Sequence, residues 1–291
     1  MRAGCHPVLG FIGAGRVGTA LARNCVRLGY ELAGISDRRT EALRLALSVL
    51  GQKQERQSAA RVAAVSDVLF LTVPDREISV LFERIAGRLR PGSIIAHCSG
   101  FFGVEVFGSA HERTIETVAF HPARVFPSPG IEVSFEGCAV ALDGTPAGLR
   151  FGRRLARELG GDSFLLKGGD RPLYHAMCVF ASNFQHALAG SAGRIARELG
   201  IRSSRSARMR ETLMRTTFEG TPDRGVGRLL TGPVPRGDAE TVAGHLAVLR
   251  ERTPELVALY LSLTRQLVEV AREQGTDRAA LRRITEVIDD A

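Results

Sequence analysis

Lysine is nearly missing from this chain. Of 39 Lys and Arg in 291 residues only Lys53 and Lys167 are lysines, so the formal charge of +8 is carried by arginine. The arginines are scattered along amphipathic helical patterns and form no block, and aromatic residues make up only 6%. That distribution lacks the basic patch and stacking platforms of a nucleic-acid binder and reads as a solvated surface. Long apolar runs are lacking too. No segment has the roughly 18 uncharged apolar residues of a membrane span, so no membrane partner is expected. Five cysteines, at 5, 25, 98, 138 and 178, show no paired spacing, which suits neither a disulfide framework nor a zinc site, and no metal is expected. Met1–Pro7 runs into an apolar strand without an h-region or a small-residue cleavage site, so the expected location is cytoplasmic.

What is present is an ordinary globular composition, 44% hydrophobic and 24% charged, at a length that predicts two domains. Residues 8–12 read as a short buried strand, and the glycines after it open a helix over 16–28 closed by Gly29. A strand over 31–36, a helix over 39–50 and a buried strand over 68–73 complete a β-α-β-α-β order. Asp75 is expected to cap the next helix, whose apolar positions Ile78, Leu81, Phe82, Ile85 and Leu89 share a face, before a strand over 93–97. Strands near 115–120, 138–142 and 164–166 and a helix over 146–159 follow. From Asp170 onward the pattern is almost wholly helical, beginning with a long apolar stretch over 174–199. The expectation is an α/β fold: an N-terminal Rossmann domain with a doubly wound, mostly parallel sheet at 1–166, then an all-α C-terminal domain for substrate and dimerisation at 167–291.

The strongest motif is Gly13-Ala14-Gly15-Arg16-Val17-Gly18, a G-x-G-x-x-G between a buried strand and a helix, as dinucleotide binding requires. Gly13 permits the tight turn, Gly15 lets the backbone approach a pyrophosphate, Gly18 lets the helix pack closely, and the helix N-terminus supplies N–H groups to the phosphates. At the end of the second strand, Ser36-Asp37-Arg38-Arg39 carries two signals. Asp37 suits the free 2′-hydroxyl of NAD, whereas Ser36, Arg38 and Arg39 suit the 2′-phosphate of NADP. The reading taken is NADP, with NAD as the alternative. Asp37 as a helix cap and the arginines as a solvated first turn are the structural counter-readings.

With both halves read, the chain resembles the superfamily that includes pyrroline-5-carboxylate reductase, ketopantoate reductase and the F420-dependent NADP oxidoreductases. It is more closely similar to the Rossmann-like family whose C-terminal helical domain is a domain of unknown function. Three patterns carry that likeness: Ala96-His97-Cys98-Ser99-Gly100, Phe120-His121-Pro122 with Phe126-Pro127, and Thr231-Gly232-Pro233-Val234-Pro235-Arg236-Gly237-Asp238. The resemblance implies a reductase, with ketopantoate reduction among the family's activities, and does not name the substrate. The chain departs from the better-known relatives at one point. They carry a lysine four residues before an asparagine in the first long helix of the second domain; here Asn183 is present but Val179 stands four residues before it.

In an open parallel sheet ligands bind beyond the carboxyl ends of the strands, which places Val73-Pro74-Asp75, His97-Cys98-Ser99 and His121-Pro122 on the functional edge. His121, with an ordinary pKa near 6.5, is the candidate general acid, against a histidine that only fixes the turn before Pro122. His97 and Ser99 are expected to line the nicotinamide or substrate pocket, against satisfied structural roles. On the long helix Tyr174, His175, Ser182, Asn183 and His186 interrupt an apolar face. His175 and Asn183 are about two helical turns apart and so share a face, Asn183 being the preferred substrate contact. Lys167, Arg236 and Asp238 are the candidate substrate-binding residues, with a hinge role for Lys167 and helix capping by Asp238 as the plain alternatives. The function expected is an NADP(H)- or NAD(H)-dependent oxidoreductase reducing a small carbonyl or imine, a 2-keto acid such as ketopantoate being the named candidate. The alternative is a non-catalytic dinucleotide-binding sensor or scaffold. A homodimer through the helical domain is expected by analogy alone.

Overall fold

The computed structural model describes residues 6–51, 57–219 and 230–291; Lys53 lies outside them. Seven strands, β1 (Leu9–Ile12), β2 (Leu32–Ser36), β3 (Val68–Leu71), β4 (Ile94–His97), β5 (Glu116–Pro122), β6 (Ala139–Gly144) and β7 (Asp162–Leu165), form one sheet in the order β2-β1-β3-β4-β5-β6-β7. All neighbours pair in parallel except β5 with β6, which are antiparallel. This is the doubly wound, mostly parallel sheet expected; β1, β3 and β4 are buried along their whole length, whereas the edge strand β7 is largely exposed.

Alternation along the strands divides the core. Leu9, Phe11, Val68 and Phe70 point to one face, where they meet α1 (Arg16–Arg27), α2 (Thr40–Val49) and α5 (Pro146–Glu158) through Leu21, Leu43 and Leu155. Leu69, Leu71 and Ile95 point to the other, against α3 (Ala59–Val65) and α4 (Ile78–Ile85) through Val62, Ile78 and Phe82. Phe70 lies at the centre of the first layer, stacked on Phe11 at 5.2 Å and edge-on to Phe120 at 6.1 Å; pairs of this kind add about 1 kcal/mol each beyond their burial. The short helix α3 is absent from the sequence reading. It begins at Ser58, whose hydroxyl accepts from Arg61 N, and one buried turn is too short for a helical period to emerge. Asp75 does not cap a helix with its side chain; the carboxylate accepts from Ser99 Oγ at 2.7 Å.

The chain divides into two compact units, 1–182 and 183–291. The break by compactness falls inside the helical stretch and not at the glycines of 167–169, because α6 (Arg171–Cys178) buries Arg171 and Tyr174 at the sheet edge. A π-helical turn, Val179–Asn183, separates α6 from α7 (Phe184–Glu198). The second unit also holds α8 (Ser203–Phe218), a single turn α9 (Pro233–Arg236), α10 (Ala239–Arg252), α11 (Val257–Glu273) and α12 (Arg278–Asp289). Its core joins Val234, Val242, Leu246, Val268 and Ile284. Val234 in the Pro-Val-Pro-Arg turn is thus a core residue. Gly237, with φ +69°, ends that turn where a Cβ would collide with Ala280.

Candidate functional site

The carboxyl edge of the sheet carries two groups of residues with different physics. At β1, Gly13 adopts φ +112° and lies against the Thr72 and Val73 backbone, where a Cβ would collide with Thr72 O. Gly18 packs in the same way on Gly13 O and Thr72 Oγ1, whose hydroxyl donates to Gly13 O at 2.7 Å. Gly15, by contrast, faces open space: the nearest atom to a Cβ built there is an Arg39 guanidinium nitrogen at 4.0 Å. A tight turn, a close helix and an open middle glycine are the cradle that a pyrophosphate needs, so the residues present fit a dinucleotide. Arg16 and Val17 open α1 above it.

Asp37 has a task the sequence did not reveal. Its Oδ2 accepts from Ala14 N at 2.8 Å and its Oδ1 from Arg39 N at 2.8 Å. Burial pushes this carboxyl up, but the hydrogen bonds from Arg39 and Ala14 outweigh it and hold the pKa below the ordinary value. Asp37 therefore fastens the glycine loop from beneath and is not a helix cap. Ser36 is also occupied, donating to Gln57 O at 2.8 Å. The arginines are paired but exposed: Arg38, 75% exposed, meets Glu77 at 2.7 Å, and Arg39, 65% exposed, reaches Asp37 Oδ1 at 3.4 Å. Both line a cavity of about 890 Å³ with Gly13, Val73, Pro74, Arg76 and Arg84. Four guanidinium groups at one cavity make it suited to an anionic ligand.

The second group is dry and committed. His97 is fully buried; Ser99 N donates to its Nδ1 at 3.1 Å, which leaves the proton on Nε2 to bond Gly103 O at 2.9 Å. Burial, aided by the charge of Arg171, lowers its pKa to about 4. With both nitrogens engaged and no exposed surface, His97 holds the β4 turn and does not touch a cofactor, contrary to expectation. Ser99 is likewise spent. Its hydroxyl donates to Asp75 and accepts from Phe101 N at 3.1 Å and Phe102 N at 3.0 Å, so Ser99 and Asp75 tie two strand ends together. Cys98 behind them is pushed up to about 12 by burial and the nearby Asp75, an inert thiol.

His121 remains half-buried at the end of β5, its Nδ1 2.8 Å from the Tyr174 hydroxyl of α6. His175 stands at right angles with ring centroids 6.5 Å apart. Gly100 makes this approach feasible: a Cβ there would lie 2.8 Å from His121 Nε2 and 2.9 Å from His175. Burial, then the charges of Arg171 and His175, lower the His121 pKa to about 4, so at neutral pH the ring is uncharged. Burial also raises the Tyr174 phenol. Arg171, which sequence reasoning missed, organises the group. It is completely buried and donates to Ser99 O at 3.1 Å and to Ala119 O and Ala141 O at 3.3 Å, joining the turn after β4 to β5 and β6. Its only sequence signal was an arginine beside Pro172 at a helix start, which resembles any solvated first turn.

Of the remaining candidates, Asp238 caps α10, accepting from Thr241 N at 3.0 Å and Thr241 Oγ1 at 2.7 Å, a structural task in place of the substrate contact. Lys167, Asn183 and Arg236 are exposed. The π turn lies between His175 and Asn183 and breaks the 3.6-residue arithmetic that placed them on one face. Among the described residues no group of three or more His, Cys, Asp or Glu is placed to hold a metal, and no helix is long and apolar enough to cross a membrane.

Residues 4–122 match the model of a Rossmann-like domain, and residues 138–267 match a domain of unknown function, DUF2520. The chain joins a Rossmann-like domain to a DUF2520 domain. The second match begins at β6, so β6, α5 and β7 belong to it although they complete the sheet. Protein TM1727 from Thermotoga maritima is 27% identical over 92% of this chain and 99% of its own, with a TM-score of 0.69. An imine reductase from Myxococcus stipitatus in complex with NADP+ is 20% identical over 96% and 100%, with a TM-score of 0.63. A pyrroline-5-carboxylate reductase from Coxiella burnetii is 14% identical over 97% and 98%, with a TM-score of 0.60. Likeness at that identity speaks for the fold. No curated protein matches the chain.

Proposed function

We propose that this protein is an NADP-preferring oxidoreductase that reduces a small carbonyl or imine compound, with a 2-keto acid such as ketopantoate as the first candidate. The observation that carries the reading is the large cavity beside the glycine loop, lined by Arg38, Arg39, Arg76 and Arg84. The solved structures it resembles support the cofactor, one of them holding NADP+. Gly13, Gly15 and Gly18 would seat the pyrophosphate at the N-terminus of α1, and Arg38 and Arg39 would hold a 2′-phosphate. When bound, the nicotinamide supplies the hydride.

The chain's own contribution is a proton at His121. Tyr174, held as a phenol, donates to Nδ1, which leaves the imidazole proton on Nε2, the atom nearest Gly100. A neutral imidazole donates more weakly than an imidazolium but is present across the whole neutral range. Lys167 in the first unit and Arg236 in the second, each exposed and without a carboxylate within 4 Å among the described residues, are separate candidates for holding a substrate carboxylate. The helical unit supports a homodimer through Leu259, Leu263 and Leu267, which recur one turn apart on α11 and stay partly exposed. Four free thiols suit a reducing compartment, the cytoplasm.

The competing reading, a dinucleotide sensor, is favoured by Val179 at the lysine position and by the uncharged His121. One series separates the two: thermal shift with NADPH, NADP, NADH and NAD, then NADPH oxidation with a panel of 2-keto acids and cyclic imines. Stabilisation largest with NADPH plus turnover is the expected result. Stabilisation without turnover on any compound would give the sensor, and no shift with any dinucleotide would overturn the cofactor assignment.

A further inference from the structure

The helical unit contains a second cavity that the reading above does not use. Helices α7 and α8 meet along a seam that contributes nothing to the unit's apolar core, which is drawn from α9 to α12 and their neighbours. The seam is polar. It encloses about 190 Å³, and the residues that give it character are Gly193 and Arg197 of α7 and Ser203, Ser206 and Arg210 of α8. Gly193 is buried, and a Cβ there would stand 3.3 Å from Arg210 Nη1, so its missing side chain is what lets the guanidinium lie against α7. Arg210 donates through Nη1 to Ser206 Oγ, a hydroxyl that is only 4% exposed.

The charge at this seam is unbalanced. A serine hydroxyl orients a guanidinium without neutralising it, and among the described residues neither Arg197 nor Arg210 has a carboxylate within 4 Å. Two like charges lining one small cavity repel each other, and the group that relieves this best accepts from both forks at once. We propose that the α7–α8 cavity is a binding site for a phosphate group, held by Arg197 and Arg210 with the hydroxyls of Ser203 and Ser206. Its size agrees: a water occupies roughly 30 Å³ of liquid, so the cavity takes a phosphate and a few waters but not a nucleotide. It is separate from the dinucleotide cavity, whose lining lies wholly between Ile12 and Arg84. Two sources share this chemistry, free phosphate and the head group of a small phosphate monoester.

The test is calorimetric titration of the full chain with inorganic phosphate, with sodium chloride at matched ionic strength as the blank. Saturable binding near the millimolar range is expected, weakened about fivefold or more by Arg197→Gln and by Arg210→Gln, while any component removed by Arg38→Gln belongs to the dinucleotide cavity. Arg197 is exposed, so its variant should fold, and circular dichroism checks both. Titration with glycerol phosphate names the source: tighter binding than inorganic phosphate marks a monoester, weaker binding marks the free ion. Heat no greater than the chloride blank would overturn the proposal. So would binding that survives both seam variants and vanishes in Arg38→Gln, because that phosphate would be seated in the dinucleotide cavity.

Discussion

The two ends of one sheet edge are built on opposite principles. Around β1 to β3 the protein presents backbone and exposed charge: glycines stripped of side chains, Arg38 and Arg39 in solvent, a wide cavity. Around β4 to β6 it presents a nearly dry network in which His97, Ser99 and Arg171 are spent on one another and on backbone carbonyls. The first arrangement gains by leaving groups free for a ligand, and the second by leaving few. His121 and Tyr174 lie at the border, bonded to each other, Tyr174 buried and His121 partly exposed.

The difference has consequences that measurements can break. Arg171→Met should be the most damaging change, because three backbone carbonyls lose a buried donor and each group left unsatisfied costs about 1 to 3 kcal/mol. A loss of about 3 kcal/mol in urea unfolding is expected, together with a rise of the His121 titration by NMR from about 4 towards its ordinary value. A variant as stable as the parent would mean the network does not hold the edge. Next comes Gly18→Ala, whose Cβ would collide with Gly13 O and Thr72 Oγ1. It should cost about 2 kcal/mol and abolish dinucleotide-induced thermal stabilisation, which Arg171→Met with its fold retained would only reduce.

Acid should separate the ends without any mutation. His97 and His121 titrate at about 4 in the folded chain against about 6.5 unfolded. Between those values the unfolded chain binds more protons, so stability falls as pH drops from about 6.5 to about 4, by at most about 1.4 kcal/mol per pH unit for each ring. Asp37 is lowered and acts only below the ordinary carboxylate range, so the nucleotide end is untouched over that interval. Urea midpoints from pH 7 to pH 4.5 check this, and an unchanged slope in His97→Asn would contradict it. The smallest effect is Tyr174→Phe, which removes one neutral hydrogen bond worth about 1 kcal/mol. In a working reductase it should lower kcat more than it raises KM, since it frees the His121 tautomer without touching the cavity.

Legibility followed the same divide. The glycine loop could be read because G-x-G-x-x-G between a buried strand and a helix is a pattern of consecutive residues, although the atoms that Gly13 and Gly18 make room for include those of Thr72 on another strand's end. The fate of Asp37 could not, because whether its carboxylate reaches Ala14 N is decided by the fold of a loop 23 residues away. His97, Ser99 and His121 were found as residues, since strand ends mark the functional edge, but two of their three roles changed once burial and partners were known. Arg171 was invisible because nothing in its neighbours says that a helix-start arginine will be carried to the turn after β4 and to β5 and β6.

By itself the sequence determined the alternation of strand and helix, the burial of the central strands, the glycine loop and the helical second half. These depend on periodicity and on local backbone sterics, which are written in consecutive residues. Only the tertiary structure decided which polar side chains remain free. That depends on hydrogen bonds between residues far apart in the chain and on how completely water is excluded around them, and no local pattern records either.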